Sequence, residues 1–155
     1  MIPNYNVEKI EISYKPLNLS FKEITLLSED EYLGNKKLIP LSTGFWWLRS
    51  HGIRSKLAAF VNGESGDVNV LGDYVLKELG VRPALRMLDC HDLIPGDKIR
   101  ISGYVFTILD GNLALCDTYI GERLFDCDYN DFETSYIRRY LYVWAKEKNI
   151  TFEKS

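Results

Sequence analysis

Apolar and polar positions alternate along residues 7–14, with Ile10, Ile12 and Tyr14 on one face and Glu11 and Ser13 on the other. That is the period of a half-buried strand, ended by Pro16. Residues 21–27 (FKEITLL) read as a second strand. Ser28 and Glu31 then stand at the S-x-x-E spacing of a capping box and predict a short helix over 29–33, stopped by Gly34. From 45 to 88, short apolar runs alternate with turn signals at Asn62-Gly63, Ser65-Gly66 and Leu71-Gly72-Asp73, the pattern of irregular β-structure. KIRIS (98–102), YVFTIL (104–109) and LALCD (113–117) are β-rich, and Asp110-Gly111-Asn112 divides the last two as a hairpin or meander. From Asp131 the period shifts to 3.6. Ile137, Tyr140, Leu141 and Trp144 share one helical face, with Asp131 as the predicted N-cap and Asn149 as the stop. Together these elements predict a single α+β domain over 1–155 with mainly antiparallel strands.

Composition narrows the class without naming an activity. The 155 residues are 46% hydrophobic and 26% charged, which excludes a disordered, collagenous or coiled-coil chain. Nineteen basic and 22 acidic side chains give a net charge of -3, so nucleic acid is an unfavoured partner unless a local patch forms. Arg49, Arg54, Lys56, Arg82 and Arg86 are the densest cationic group outside the C-terminal helix. The first residues have no apolar signal-peptide core, and no apolar run reaches the ~18 residues of a membrane span, so the expectation is a cytoplasmic chain without membrane contact. Cys90, Cys116 and Cys127 form no C-x-x-C pair, which predicts reduced, mostly packed thiols.

Two segments carry more information: Trp46-Trp47-Leu48-Arg49-Ser50 and Gly80-Val81-Arg82-Pro83-Ala84-Leu85, with Ala58-Ala59-Phe60-Val61-Asn62 between them. They resemble a family of bacterial and bacteriophage domains of unknown function with a WWLRS…GVRPAL signature. That family is similar to the C-type lectin-like fold, in the branch of the formylglycine-generating domains and the variable proteins of diversity-generating retroelements. The resemblance implies a C-type lectin-like fold with its segments permuted: residues 1–88 resemble the family's second half and 96–150 its first. Ser135 to Leu141 matches its early helix. Circular permutation or a fragment of tandem copies would each give this order.

Adjacent strand residues point to opposite faces, so one of Trp46 and Trp47 is expected in the core and the other near the surface, as a binding anchor. Arg49 and Arg82 can staple loop carbonyls or pair with a buried carboxylate. Gly80 supplies backbone freedom, and Pro83 marks an edge or bulge. The resemblance places the recognition face in the polar loops of 51–79, with His51, Arg54, Lys56, Asn62, Glu64, Asp67, Asn69, Asp73 and Tyr74. Solvated loops without a ligand are the alternative. The acidic and amide residues there match no EF-hand or calcium-lectin spacing, so no metal is assigned. Asp126, Asp128 and Asp131 read as charges at a helix start.

Cys90-His91 lacks an oriented third partner, and no reactive cysteine pair, phosphate loop or cofactor motif is seen, so no catalytic residue and no cofactor is assigned. The expected function is non-catalytic recognition of a protein partner through the 51–79 face, with a phage-encoded inhibitor of a host defence protein as one setting. A glycan- or host-surface-binding module of a virion is the alternative, and an enzyme of the sulfatase-modifying type is the third.

Overall fold

The computed structural model describes residues 19–88 and 92–153. The predicted strand over 7–14, Pro16 and the Cys90-His91 pair lie outside the described residues. Among the described residues the architecture is mixed α+β, built on two five-stranded sheets and two α-helices. The first sheet contains β1 (Phe21–Thr25), β6 (Ala84–Met87), β7 (Lys98–Ile101), β8 (Tyr104–Leu109) and β9 (Leu113–Cys116), in the order β1-β6-β9-β8-β7 and antiparallel throughout. The second contains β2 (Phe45–His51), β3 (Leu57–Asn62), β4 (Val68–Tyr74), β5 (Leu79–Gly80) and β10 (Glu122–Arg123), in the order β10-β5-β2-β3-β4. Its one parallel contact pairs Trp46 with Gly80, which sets the two signature segments side by side.

The central strands bury both faces, and the period of two sorts their side chains into two cores. Trp47, Ala58, Phe60, Phe106, Ile108, Ala114 and Cys116 enter the larger core. Their neighbours Trp46, Leu48, Ala59, Val61, Leu109, Leu113 and Leu115 enter the smaller one. Strands from both ends of the chain thus share each core, and helix α2 (Tyr136–Glu147) closes the larger with Ile137, Leu141, Trp144 and Ala145.

Local chemistry explains the turns. Ser102 and Gly103, both at positive φ, form the two-residue turn between β7 and β8, and Gly111 with Asn112 turns β8 into β9. The residues 81–83 between β5 and β6 carry the chain from one sheet to the other. Pro83 therefore lies in the crossing rather than at a strand edge or bulge, and its carbonyl accepts from Cys116 N–H at 2.9 Å.

Both helix boundaries differ from expectation. Helix α1 (Glu29–Asn35) runs through Gly34, because Asn35 Nδ2 donates to Glu31 O and its Oδ1 accepts from Asp110 N–H, holding the last turn against the 110–112 hairpin. The capping box itself is formed in both directions by Ser28 and Glu31. Ser135, not Asp131, is the N-cap of α2, with its Oγ accepting from Arg138 N–H at 3.1 Å. Asp131 precedes a separate 3-10 turn at Phe132–Thr134 and accepts from the Thr134 hydroxyl. Asn149, at φ 60, turns the chain away just beyond the helix. No helix is long and apolar enough to cross a membrane among the described residues.

Candidate interaction surface

The signature residues are structural. Trp46 and Trp47 are both buried, at 1% and 0% exposure, so neither ring is a surface anchor. The expected outward ring is covered because the second sheet has a core on each face. Trp47 packs edge-on against Phe125 and donates Nε1–H to Arg123 O at 2.9 Å. Trp46 meets Tyr32 edge-on and lies under the Arg82 guanidinium, 4.7 Å from its ring centre. Gly80 has no room for a side chain, since a Cβ there would lie 2.8 Å from the Tyr119 ring.

Arg82 is 2% exposed and donates Nε–H to Cys116 O at 3.0 Å, while its Nη1 has no hydrogen-bond partner among the described residues. Burial lowers its pKa, opposed by the charge of Asp117. Arg49 ties three segments together: its Nη1 donates to Leu26 O at 2.7 Å and to Glu31 Oε1 at 2.6 Å, and its backbone N–H to Leu27 O. Arg86 reaches Glu31 Oε2 at 3.1 Å and Glu23 at 2.7 Å. Partial burial alone would raise the Glu31 carboxyl. The hydrogen bonds from Arg49 and Ser28 N–H, with the Arg49 charge and the Arg86 bond, outweigh it and hold the pKa at about 2. The five basic residues grouped by the sequence therefore do not present one cationic face. Arg82 is buried, Arg49 and Arg86 are neutralised by carboxylates, and Arg54 and Lys56 stand apart in the β2–β3 loop.

Most of 51–79 is strand rather than loop, because β3 is a core strand and β4 pairs with it as the edge of the second sheet. His51 ends β2 opposite Ala58 and is exposed. Arg54 and Lys56 sit on a loop pinned by Asn130, whose Nδ2 donates to Arg54 O and Leu57 O, and the Lys56 ammonium lies over Tyr129. The 126–136 segment that carries Asn130 is organised in turn by Asp126. Burial would raise its carboxyl, but the N–H groups of Tyr129, Asp128 and Tyr136 outweigh it and lower the pKa. Asp73 accepts from Tyr74 N–H and faces Lys77 at 3.4 Å, and Tyr74 is exposed. Glu64 projects from the β3–β4 turn.

Three of the sequence-selected residues, Asn62, Asp67 and Asn69, converge on an open groove of about 500 Å³. Phe45, Phe60, Val68, Val70 and Leu71 form its apolar lining. The groove exists because β4 is bulged. Phe60 pairs with Asn69 and Ala58 with Asp73, so three residues, Val70 to Gly72, stand opposite Ala59 alone. Gly72 takes φ 92, and a Cβ there would meet Ala58 O at 2.7 Å. Asn69 Oδ1 accepts from Leu71 N–H and Gly72 N–H at 3.1 Å each, and Leu71 O accepts from Ile53 N–H at 2.9 Å. The bulge thrusts Val70 and Leu71 into solvent, at 50% and 56% exposure, beside the exposed Phe45 and Ile53.

The sequence reading did not select Phe45, Ile53, Val70 or Leu71. The available signal was the adjacent Val70-Leu71 pair, which breaks strand alternation, with Asn69 and Gly72 flanking it as bulge residues. The amide oxygens of Asn62 and Asn69 are spent on backbone N–H groups, and among the described residues no group of three His, Cys, Asp or Glu side chains converges. No protein-family model, no curated protein and no solved structure matches the chain.

Proposed function

We propose that this chain is a non-catalytic recognition module of C-type lectin-like type, with permuted segments, that binds a protein partner through the β4 edge of its second sheet. The observation that carries the reading is the exposure of Val70 and Leu71 on a bulged edge strand, beside Phe45 and Ile53 and above an apolar groove. Contiguous apolar surface of this kind marks interaction sites on otherwise polar proteins. Pairing of β4 with β3 holds the backbone of this surface in place, which lowers the ordering cost of binding. The lectin-like part of the reading rests on the signature residues and on the Trp46–Gly80 pairing that joins them. A photo-crosslinking residue at position 71 should give a discrete protein adduct in lysate that saturates at one equivalent. The same residue at Val143, exposed on α2, should give none. Equal labelling from both positions, or none from 71, would refute the assignment.

A further inference from the structure

We infer that the β4 groove takes an extended segment of the partner protein, in which a bulky apolar side chain is flanked by lysine or arginine. This rests on the reading of the β4 edge as the partner-binding surface and specifies what that surface selects.

Ordinary strand addition is blocked at the middle of the edge. The N–H groups of Leu71 and Gly72 are capped by Asn69, and Leu71 O is taken by Ile53 N–H. Recognition there falls to side chains. Phe45, Phe60, Val68 and Leu71 offer an apolar seat. Asp67 is the only charged residue among those that line it; it is ion-paired to Lys36 at 3.7 Å, but both side chains are exposed, at 77% and 45%, so the pair is weak and exchangeable. Glu64, exposed in the adjoining turn, adds a second negative charge near that end. A basic group beside the apolar anchor can therefore exchange with Lys36 at Asp67 or pair with Glu64, whereas an acidic one adds a third carboxylate beside a single lysine. Asn62 and Asn69 use their oxygens internally and keep their Nδ2 donors unengaged among the described residues, which suits the backbone carbonyls of an extended chain.

The test uses two labelled peptides, Arg-Phe-Arg-Leu-Arg and Glu-Phe-Glu-Leu-Glu, titrated by fluorescence anisotropy at low ionic strength against the full chain. The basic peptide should bind about tenfold or more tightly than the acidic one, with affinity falling as salt is added. Asp67→Lys should abolish or reverse that preference. Glu147→Lys changes the net charge equally on the distant helix and should leave most of the preference intact. Leu71→Asp should remove binding of the basic peptide. Equal affinities, no binding of either peptide, or the same response to Asp67→Lys and Glu147→Lys would each overturn the inference. Position-71 crosslinking to a protein, if it persisted under any of those results, would keep the β4 edge as the interaction surface and reject only the basic-apolar chemistry.

Discussion

Replacing Glu31 by Gln tests whether one carboxylate ties the first helix to both sheets. The side chain keeps its size and one acceptor for Ser28 N–H, but Arg49 and Arg86 lose their shared anion. A carboxyl drawn from 4.5 to about 2 corresponds to about 3 kcal/mol at about 1.4 kcal/mol per pKa unit. Screening at a side chain still one-fifth exposed leaves about 2 kcal/mol. Because the folded pKa lies below the unfolded one, this stabilisation is complete above about pH 4.5 and is lost as pH falls through about 2. Urea unfolding of both proteins across pH 7 to 2 should show a gap of about 2 kcal/mol at neutral pH, closing between pH 4.5 and 2. In thermal melts at pH 7 the same gap is about 4–8 °C. A gap independent of pH, or one below about 0.5 kcal/mol at pH 7, would show that Glu31 acts as a neutral cap and that the two arginines contribute nothing through its charge.

Other substitutions probe the signature and the bulge. Arg82→Met should cost less than about 1 kcal/mol, since it fills the same space while removing a buried cation whose Nη1 has no hydrogen-bond partner among the described residues. Arg82→Ala leaves a cavity over the Trp46 ring and should cost about 2–4 kcal/mol, and denaturant midpoints compare the two. Gly80→Ala drives a methyl group into the Tyr119 ring, which cannot retreat freely because its hydroxyl is bonded to Ser42 and to Thr43 O. A loss of about 1–3 kcal/mol is expected in the same assay. Asn69→Ala frees two backbone N–H groups at the bulge. It should speed amide exchange at Leu71 and Gly72 about tenfold while lowering global stability by no more than about 1 kcal/mol.

Strand periodicity carries most of the fold. The β8–β9 hairpin, the capping box and the buried stripe of α2 follow from spacing, because each is decided by neighbours within a few residues. What spacing does not carry is which elements cover one another. Trp46 and Trp47 alternate as strand residues must, yet both are buried, because helix α1 and the β8–β9 strands cover one face of the sheet as the larger core covers the other. The GVRPAL run reads as one strand and is two, separated by Pro83 where the chain changes sheets. The 51–79 segment reads as loops because its Asn and Gly residues are turn formers, but Asn69 and Gly72 serve a bulge within a strand. That same bulge moved the candidate site from the polar residues toward Val70 and Leu71, whose exposure depends on β4 being the outermost strand.

The most direct test of recognition at the β4 edge compares partner capture by the unmodified chain, by the Val70→Asp/Leu71→Asp variant and by Val143→Asp, all at matched thermal stability. Burying two half-exposed aliphatic side chains contributes about 2–3 kcal/mol, or roughly 30- to 150-fold in affinity. The β4 variant should therefore lose that factor or more, while the α2 variant binds as the parent does. Undiminished capture by the Val70→Asp/Leu71→Asp protein would place the interaction surface elsewhere on the molecule.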